Sequence, residues 1–176
     1  MRTRILMTLL VSAAALAGSG LHAQQPTAPN LDAIPDKMPF SNPYGAPISA
    51  ERAQSLIQAA AAEATKKGWP EDIAVYDSGA NLVAFLRMDG AQLASIAIAE
   101  HKARAAVKYR RVTKIFEDNV VKFGLNYTLS LDDVIASRGG IPIIEDGKII
   151  GGIGCSGGTG SQDEEICSVA AATINK

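Results

Sequence analysis

The chain has 176 residues, with 17 Lys or Arg against 18 Asp or Glu, a near-neutral balance that offers no basic face to nucleic acid or to an anionic membrane surface. Arg2 and Arg4 precede an apolar run from Ile5 to Ala17 and then Gly18-Ser19-Gly20-Leu21-His22-Ala23, the order of a secretory signal; residues 1–23 are therefore expected to be cleaved after Ala23, leaving a periplasmic or secreted protein. That apolar run is too short for a comfortable membrane span, and the 153 residues beyond it, with 15 basic and 18 acidic side chains, suit one domain with a real core.

Residues 24–47 hold six prolines and few large apolar residues, and read as an extended arm. Its second half, Met38-Pro39-Phe40-Ser41-Asn42-Pro43-Tyr44-Gly45, carries aromatic side chains suited to packing across the body or onto a neighbouring subunit. The domain proper is expected over 48–176. Ser49 caps a helix in which Ala53, Leu56, Ile57, Ala60 and Ala64 follow helical spacing, and Lys66-Lys67-Gly68 ends it. Asp72–Asp77 and Asn81–Met88 read as two strands of a hairpin joined by Ser78-Gly79-Ala80. A helix from Leu93 to Arg110 follows, apolar along Ile96, Ala99, Ala103, Ala106 and Val107, with a polar stripe at Glu100, Arg104, Lys108 and Arg111. Glu100 and Arg104 stand four apart in the order that favours a surface ion pair. Thr113–Lys122 predicts a short helix stopped by Gly124, and Asn126–Ser137 a mixture of loop and short helix.

Two apolar runs, Ile141–Ile144 and Lys148–Gly154, flank Asp146-Gly147, the dipeptide that supplies positive φ at both centres of a type I′ hairpin turn. A glycine-rich loop, Gly154–Gly160, leads into a last helix that begins near Ser161 with acidic residues at its positive end. The hairpin, the loop and the helix start are read as one wall of a functional site, with Gly139, Gly140, Ser156, Gly157, Gly158 and Glu164 as ligand contacts. The backbone N–H groups of Gly157–Gly160 suit an oxyanion or a carboxylate. Gly152-Ile153-Gly154-Cys155-Ser156-Gly157 spells the dinucleotide fingerprint, but it follows a hairpin strand and opens no βαβ unit, which argues against a nucleotide.

Arg87 with Asp89 is either a plain ion pair or a clamp for a substrate carboxylate. Asp77, His101 and Asp163 are the candidate proton carriers. His101 is the only histidine beyond the leader; the alternative to a functional role is a surface or interface histidine bonded to a helix neighbour. Cys155 and Cys167 match no zinc spacing, and leave open a disulfide tying the hairpin to the last helix, two buried thiols, or a redox pair.

The stretches Ile73–Gly79, Leu82–Ala91, Lys102–Ala106, Gly139–Pro142 and Ile150–Glu164, above all Arg87-Met88-Asp89-Gly90-Ala91 and Ser156-Gly157-Gly158, resemble the GlcG/HbpS-like family of small haem-binding or haem-degrading proteins. The resemblance runs from about Ile48 to the C-terminus. It implies a profilin-like three-layer α/β/α sandwich with a central antiparallel sheet, an α+β fold, in a homo-oligomer built from dimers up to an octamer. It also implies a haem or similar tetrapyrrole ligand, with a part in haem degradation or redox and iron sensing. The family's haem ligand lies in no motif matched here. His101 is assigned to the haem iron because it is the only histidine beyond the leader and adjoins Lys102-Ala103-Arg104. The alternatives are a small-molecule enzyme or binding protein for a carboxylate-bearing metabolite, and an oligomeric accessory subunit.

Overall fold

The structure, a computed structural model, describes residues 27–175; the expected leader, residues 1–23, lies outside them. No described helix is long and apolar enough to cross a membrane.

Local chemistry sets the elements. Helix α1 (Ala50–Lys67) starts where Ser49 Oγ accepts the N–H of Arg52 and stops at Gly68, whose φ of 70° closes the last turn. Strands β1 (Asp72–Asp77) and β2 (Leu82–Arg87) form the first hairpin. Helix α2 spans Ser95–Lys108, shorter than the expected 93–110, because Arg110 takes a φ of 55° and turns the chain away. Helix α3 (Lys114–Val121) leads to a 3₁₀ turn at Asn126–Ser130. Strands β3 (Gly140–Glu145) and β4 (Lys148–Ser156) form the second hairpin, with Asp146 at φ 47° and Gly147 at φ 71° as its turn requires. Helix α4 (Gly160–Ala171) begins one residue before the expected Ser161, capped by Thr159 in a reciprocal pair with Gln162.

The four strands make one antiparallel sheet in the order β2-β1-β4-β3. Alternation along each strand sends Ile73, Val75, Ile143, Ile153 and Cys155 into a core with α1 and α4, and sends Ala74 and Tyr76 to a second core with Ala99, Ala103 and Val107 of α2. The fold is therefore the expected three-layer sandwich, with α1 and α4 on one face and α2 on the other. Pro43–Ile48 runs beside the start of β4: Gly45 N donates to Ile149 O at 2.8 Å, Ile149 N to Pro43 O at 2.8 Å and Ile48 N to Ile150 O at 2.9 Å. Tyr44 Oη donates to Val107 O at 3.0 Å, and the Phe40 ring lies 3.5 Å from the Arg111 guanidinium.

What brings α2 down onto the sheet is the absence of side chains beneath it. A Cβ on Gly154 would stand 2.2 Å from Ala99 O, and one on Gly140 would stand 2.3 Å from Lys102 O. Overpacking of this kind typically costs about 1–3 kcal/mol, so Gly154→Ala should lower the denaturant midpoint by the equivalent of about 2–3 kcal/mol with the unfolding slope unchanged. An unshifted midpoint would show that α2 does not need this contact.

Candidate functional site

Lys102 sits on the sheet-facing side of α2, in the same stripe as Ala99, Ala103 and Ala106, and its side chain is 1% exposed. A buried ammonium must be paired and hydrogen-bonded to be tolerated. Its Nζ donates to Asp163 Oδ2 at 2.6 Å and to the carbonyl of Cys155 at 3.1 Å. Asp163 lies in the first turn of α4, where a carboxylate suits the helix end. Its other oxygen, Oδ1, accepts from Gly157 N at 3.2 Å and from Gly158 N at 3.0 Å. Gly139, at φ 115°, closes the site: a Cβ there would meet Asp163 Cβ at 2.8 Å and Lys102 Nζ at 3.1 Å.

Glu71, just before β1, completes the cluster. It is fully buried, and no donor among the described residues reaches its carboxyl oxygens. Burial, followed by the negative charge of Asp163, pushes its carboxyl up to about 8 against the opposing pull of Lys102. The neighbouring Asp72 is also buried, and burial raises it too, opposed by Arg87. Ser156 Oγ donates to Ser95 Oγ at 3.0 Å beneath the start of α2.

The expected ligand wall is therefore assembled, but around Lys102 and under α2. Gly139, Gly140 and Ser156 are buried, and the N–H groups of Gly157 and Gly158 hold the chain's own Asp163 carboxylate in place of an incoming anion. Asp163 is occupied by Lys102. Glu164 pairs with Arg138 at 3.5 Å, and Arg138 also holds Glu117 at 2.6 Å. Asp77 does not join the cluster: its Oδ1 accepts from Gly79 N at 2.8 Å and Asn81 N at 2.9 Å, which builds the first hairpin turn. Arg104 pairs with Asp133 at 3.3 Å rather than with Glu100, and Lys108 shares that carboxylate. Arg87 and Asp89 are exposed; Asp89 borders a cavity of about 260 Å³ with Trp69 and Met88. Cys155 and Cys167 are joined in a disulfide linking β4 to α4.

His101 is half-buried on α2, apart from Lys102 although next to it in sequence. Along the same outward side run Ala94, Ala97 and Ile98, exposed or half-buried, with Leu93 71% exposed at the helix start. Among the described residues no group of three or more His, Cys, Asp or Glu side chains could hold a metal ion.

Lys102 and Glu71 were not singled out by sequence reasoning. Lys102 had a readable signal, a cation inside an alanine stripe. Glu71 had none, since a carboxylate before a strand ordinarily faces water.

The sequence and the fold that carry this cluster are similar to those of known proteins. A family model described as "Haem degrading protein HbpS-like" matches residues 48–172. The chain belongs to the HbpS-like family. Protein GlcG of Escherichia coli K12 is 38% identical over 129 residues, which is 73% of this chain and 96% of GlcG. Among solved structures, HbpS has a TM-score of 0.69 at 27% identity over 80% of this chain and 99% of its own. A PduOC:haem complex has a TM-score of 0.65 at 32% identity over 73% of this chain and 96% of its own.

Glu71 carries a pH dependence with a definite sign. Its ordinary value of 4.5 holds in the unfolded chain and rises to about 8 on folding, so the folded protein keeps a proton that the unfolded chain releases. The contribution is complete below the ordinary value and is lost as pH climbs through the folded one. The melting temperature should therefore fall between about pH 5 and about pH 8, and Glu71→Gln should flatten that slope. Asp72 acts in the same direction and would leave a residual slope. A variant slope equal to that of the wild type would mean that Glu71 is not protonated in the fold.

Proposed function

We propose that the protein binds haem or a closely similar tetrapyrrole, and that His101, on the outward side of α2, would hold its iron. The observation that carries the reading is the family match across 48–172 together with the haem-bound relative at 32% identity. The donor set fits the group. The described residues offer one imidazole and no cage for a bare ion, whereas a porphyrin brings four nitrogens of its own and needs only an axial side chain. When bound, haem would supply redox chemistry at its iron.

The chain's own part is binding and shielding. Leu93, Ala94, Ala97 and Ile98 give the macrocycle an apolar strip ending at His101. His101 and this strip lie on the outward side of α2, exposed or half-buried, so the ligand would lie on an open face, and the second wall would come from another subunit. That requirement supports a homo-oligomer. The leader-like residues 1–23 support export and a role in haem handling outside the cytoplasm, in degradation or in sensing. The metabolite alternative loses its backbone clamp, because Gly157 and Gly158 already hold Asp163.

Titration of the mature protein with haemin, followed by absorbance, should saturate at one haem per chain. His101→Ala should weaken binding by at least about tenfold, the effect of losing roughly 1.4 kcal/mol, and change the Soret band. Saturation with an unaltered mutant spectrum would move the ligand elsewhere. Binding that never saturates would remove the haem reading.

A further inference from the structure

The cluster at Lys102 has the parts of a reaction that needs no substrate from outside. Lys102 Nζ lies 2.6 Å from Asp163 Oδ2, one C–O bond from the carboxyl carbon, with both side chains buried. Asp163 Oδ1 already rests on the two backbone N–H groups of Gly157 and Gly158, the arrangement that stabilises an oxyanion. Glu71 stands against Gly157, where a Cβ would meet its Cδ at 3.1 Å, and is buried among groups that offer its carboxyl no donor. A fixed amine, a carboxyl carbon within reach, an oxyanion cradle and a neutral acid excluded from water are what amide formation requires.

We propose that Lys102 and Asp163 are joined by an intramolecular isopeptide bond whose formation Glu71 catalyses. The steps balance without a co-reactant. The ion pair first becomes neutral by moving a proton from Nζ to Oδ2. Nζ then attacks the carboxyl carbon, forming a C–N bond and placing negative charge on Oδ1, where Gly157 and Gly158 hold it. Glu71 gives its proton to Oδ2 and regains one from the nitrogen. The C–Oδ2 bond breaks, and one water leaves. Nothing is oxidised or reduced.

The product satisfies the same partners as the reactants. The new amide N–H faces the Cys155 carbonyl, and the amide oxygen keeps its two N–H donors. Two buried charges disappear, removing the desolvation burden that a buried ion pair carries. The bond would fasten the middle of α2 to the start of α4, next to the disulfide that fastens β4 to α4. The inference is independent of haem.

Peptide mass spectrometry of the purified full chain, reduced and then digested, decides it. The expected result is a branched peptide joining the segment that carries Lys102 to the segment that carries Asp163, lighter by one water than the two together. Two linear peptides with both side chains free would overturn the bond. Glu71→Gln should fold and yield the linear peptides; Glu71→Leu serves if the first variant does not fold. A branched peptide in a folded Glu71 variant would overturn the role given to Glu71 and leave the bond to Lys102 and Asp163 alone.

Discussion

One buried amine organises the centre of this molecule. An ammonium removed from water costs several kcal/mol unless charge and hydrogen bonds replace the solvent, and Lys102 is removed almost completely. Its replacements come from three separate places: the carboxylate of Asp163 in α4, the carbonyl of Cys155 at the end of β4, and a roof at Gly139 that tolerates no side chain. Each must be in position for the others to be worth anything. The second oxygen of Asp163 in turn fixes the loop at Gly157 and Gly158, so the path from sheet to last helix is set by a single side chain.

That amine reaches the cluster because the backbone of α2 lies directly against Gly140 and Gly154 of the sheet. Gly152 and Gly154 of β4, Gly140 of β3 and Ala74 of β1 leave the middle of that face without large side chains, and α2 answers with Ala99 and Ala103 while Tyr76 packs at its side. The opposite face follows the ordinary rule, with α1 packed over β1 and β2 and α4 over β3 and β4 around one apolar core. The two faces do different work. The α1 and α4 side carries the larger apolar cluster, whereas the α2 side combines a smaller one with close backbone approach and a polar cluster.

Much of this architecture was legible because the signals were local. Ser49 and Gly68 bound α1, and Asp146-Gly147 needs only its own backbone geometry to declare the second hairpin. The family-matched segments supplied the layer order. The site was less legible, since its chemistry depends on pairs far apart in the chain. Lys102 and Asp163 are 61 positions apart, and nothing near either residue names the other. The glycine loop was read as an anion cradle, which it is, but the anion is Asp163 of the same chain. Asp77 looked chemical and proved to be a turn-former, because an aspartate that bonds backbone N–H groups two and four residues on needs no further partner. Glu100 lost its expected partner to Asp133, brought in from a loop that sequence periodicity does not describe.

A helix with its inner side committed in this way has only its outer side left to meet a ligand. The two buried polar side chains of α2 beneath the helix are engaged: Lys102 with Asp163 and Cys155, Ser95 with Ser156. On the outer side, Arg104 and Lys108 are tied to Asp133, which leaves the strip from Leu93 to His101 as the part of α2 with apolar surface beside an imidazole. A flat, apolar, singly coordinating partner matches such a strip better than a small hydrophilic metabolite, which would need convergent polar groups and enclosure. On the proposed reading the inner cluster would have a functional consequence as well as a structural one: it ties down the helix that carries His101, so that a ligand binding there would not have to order the element that receives it.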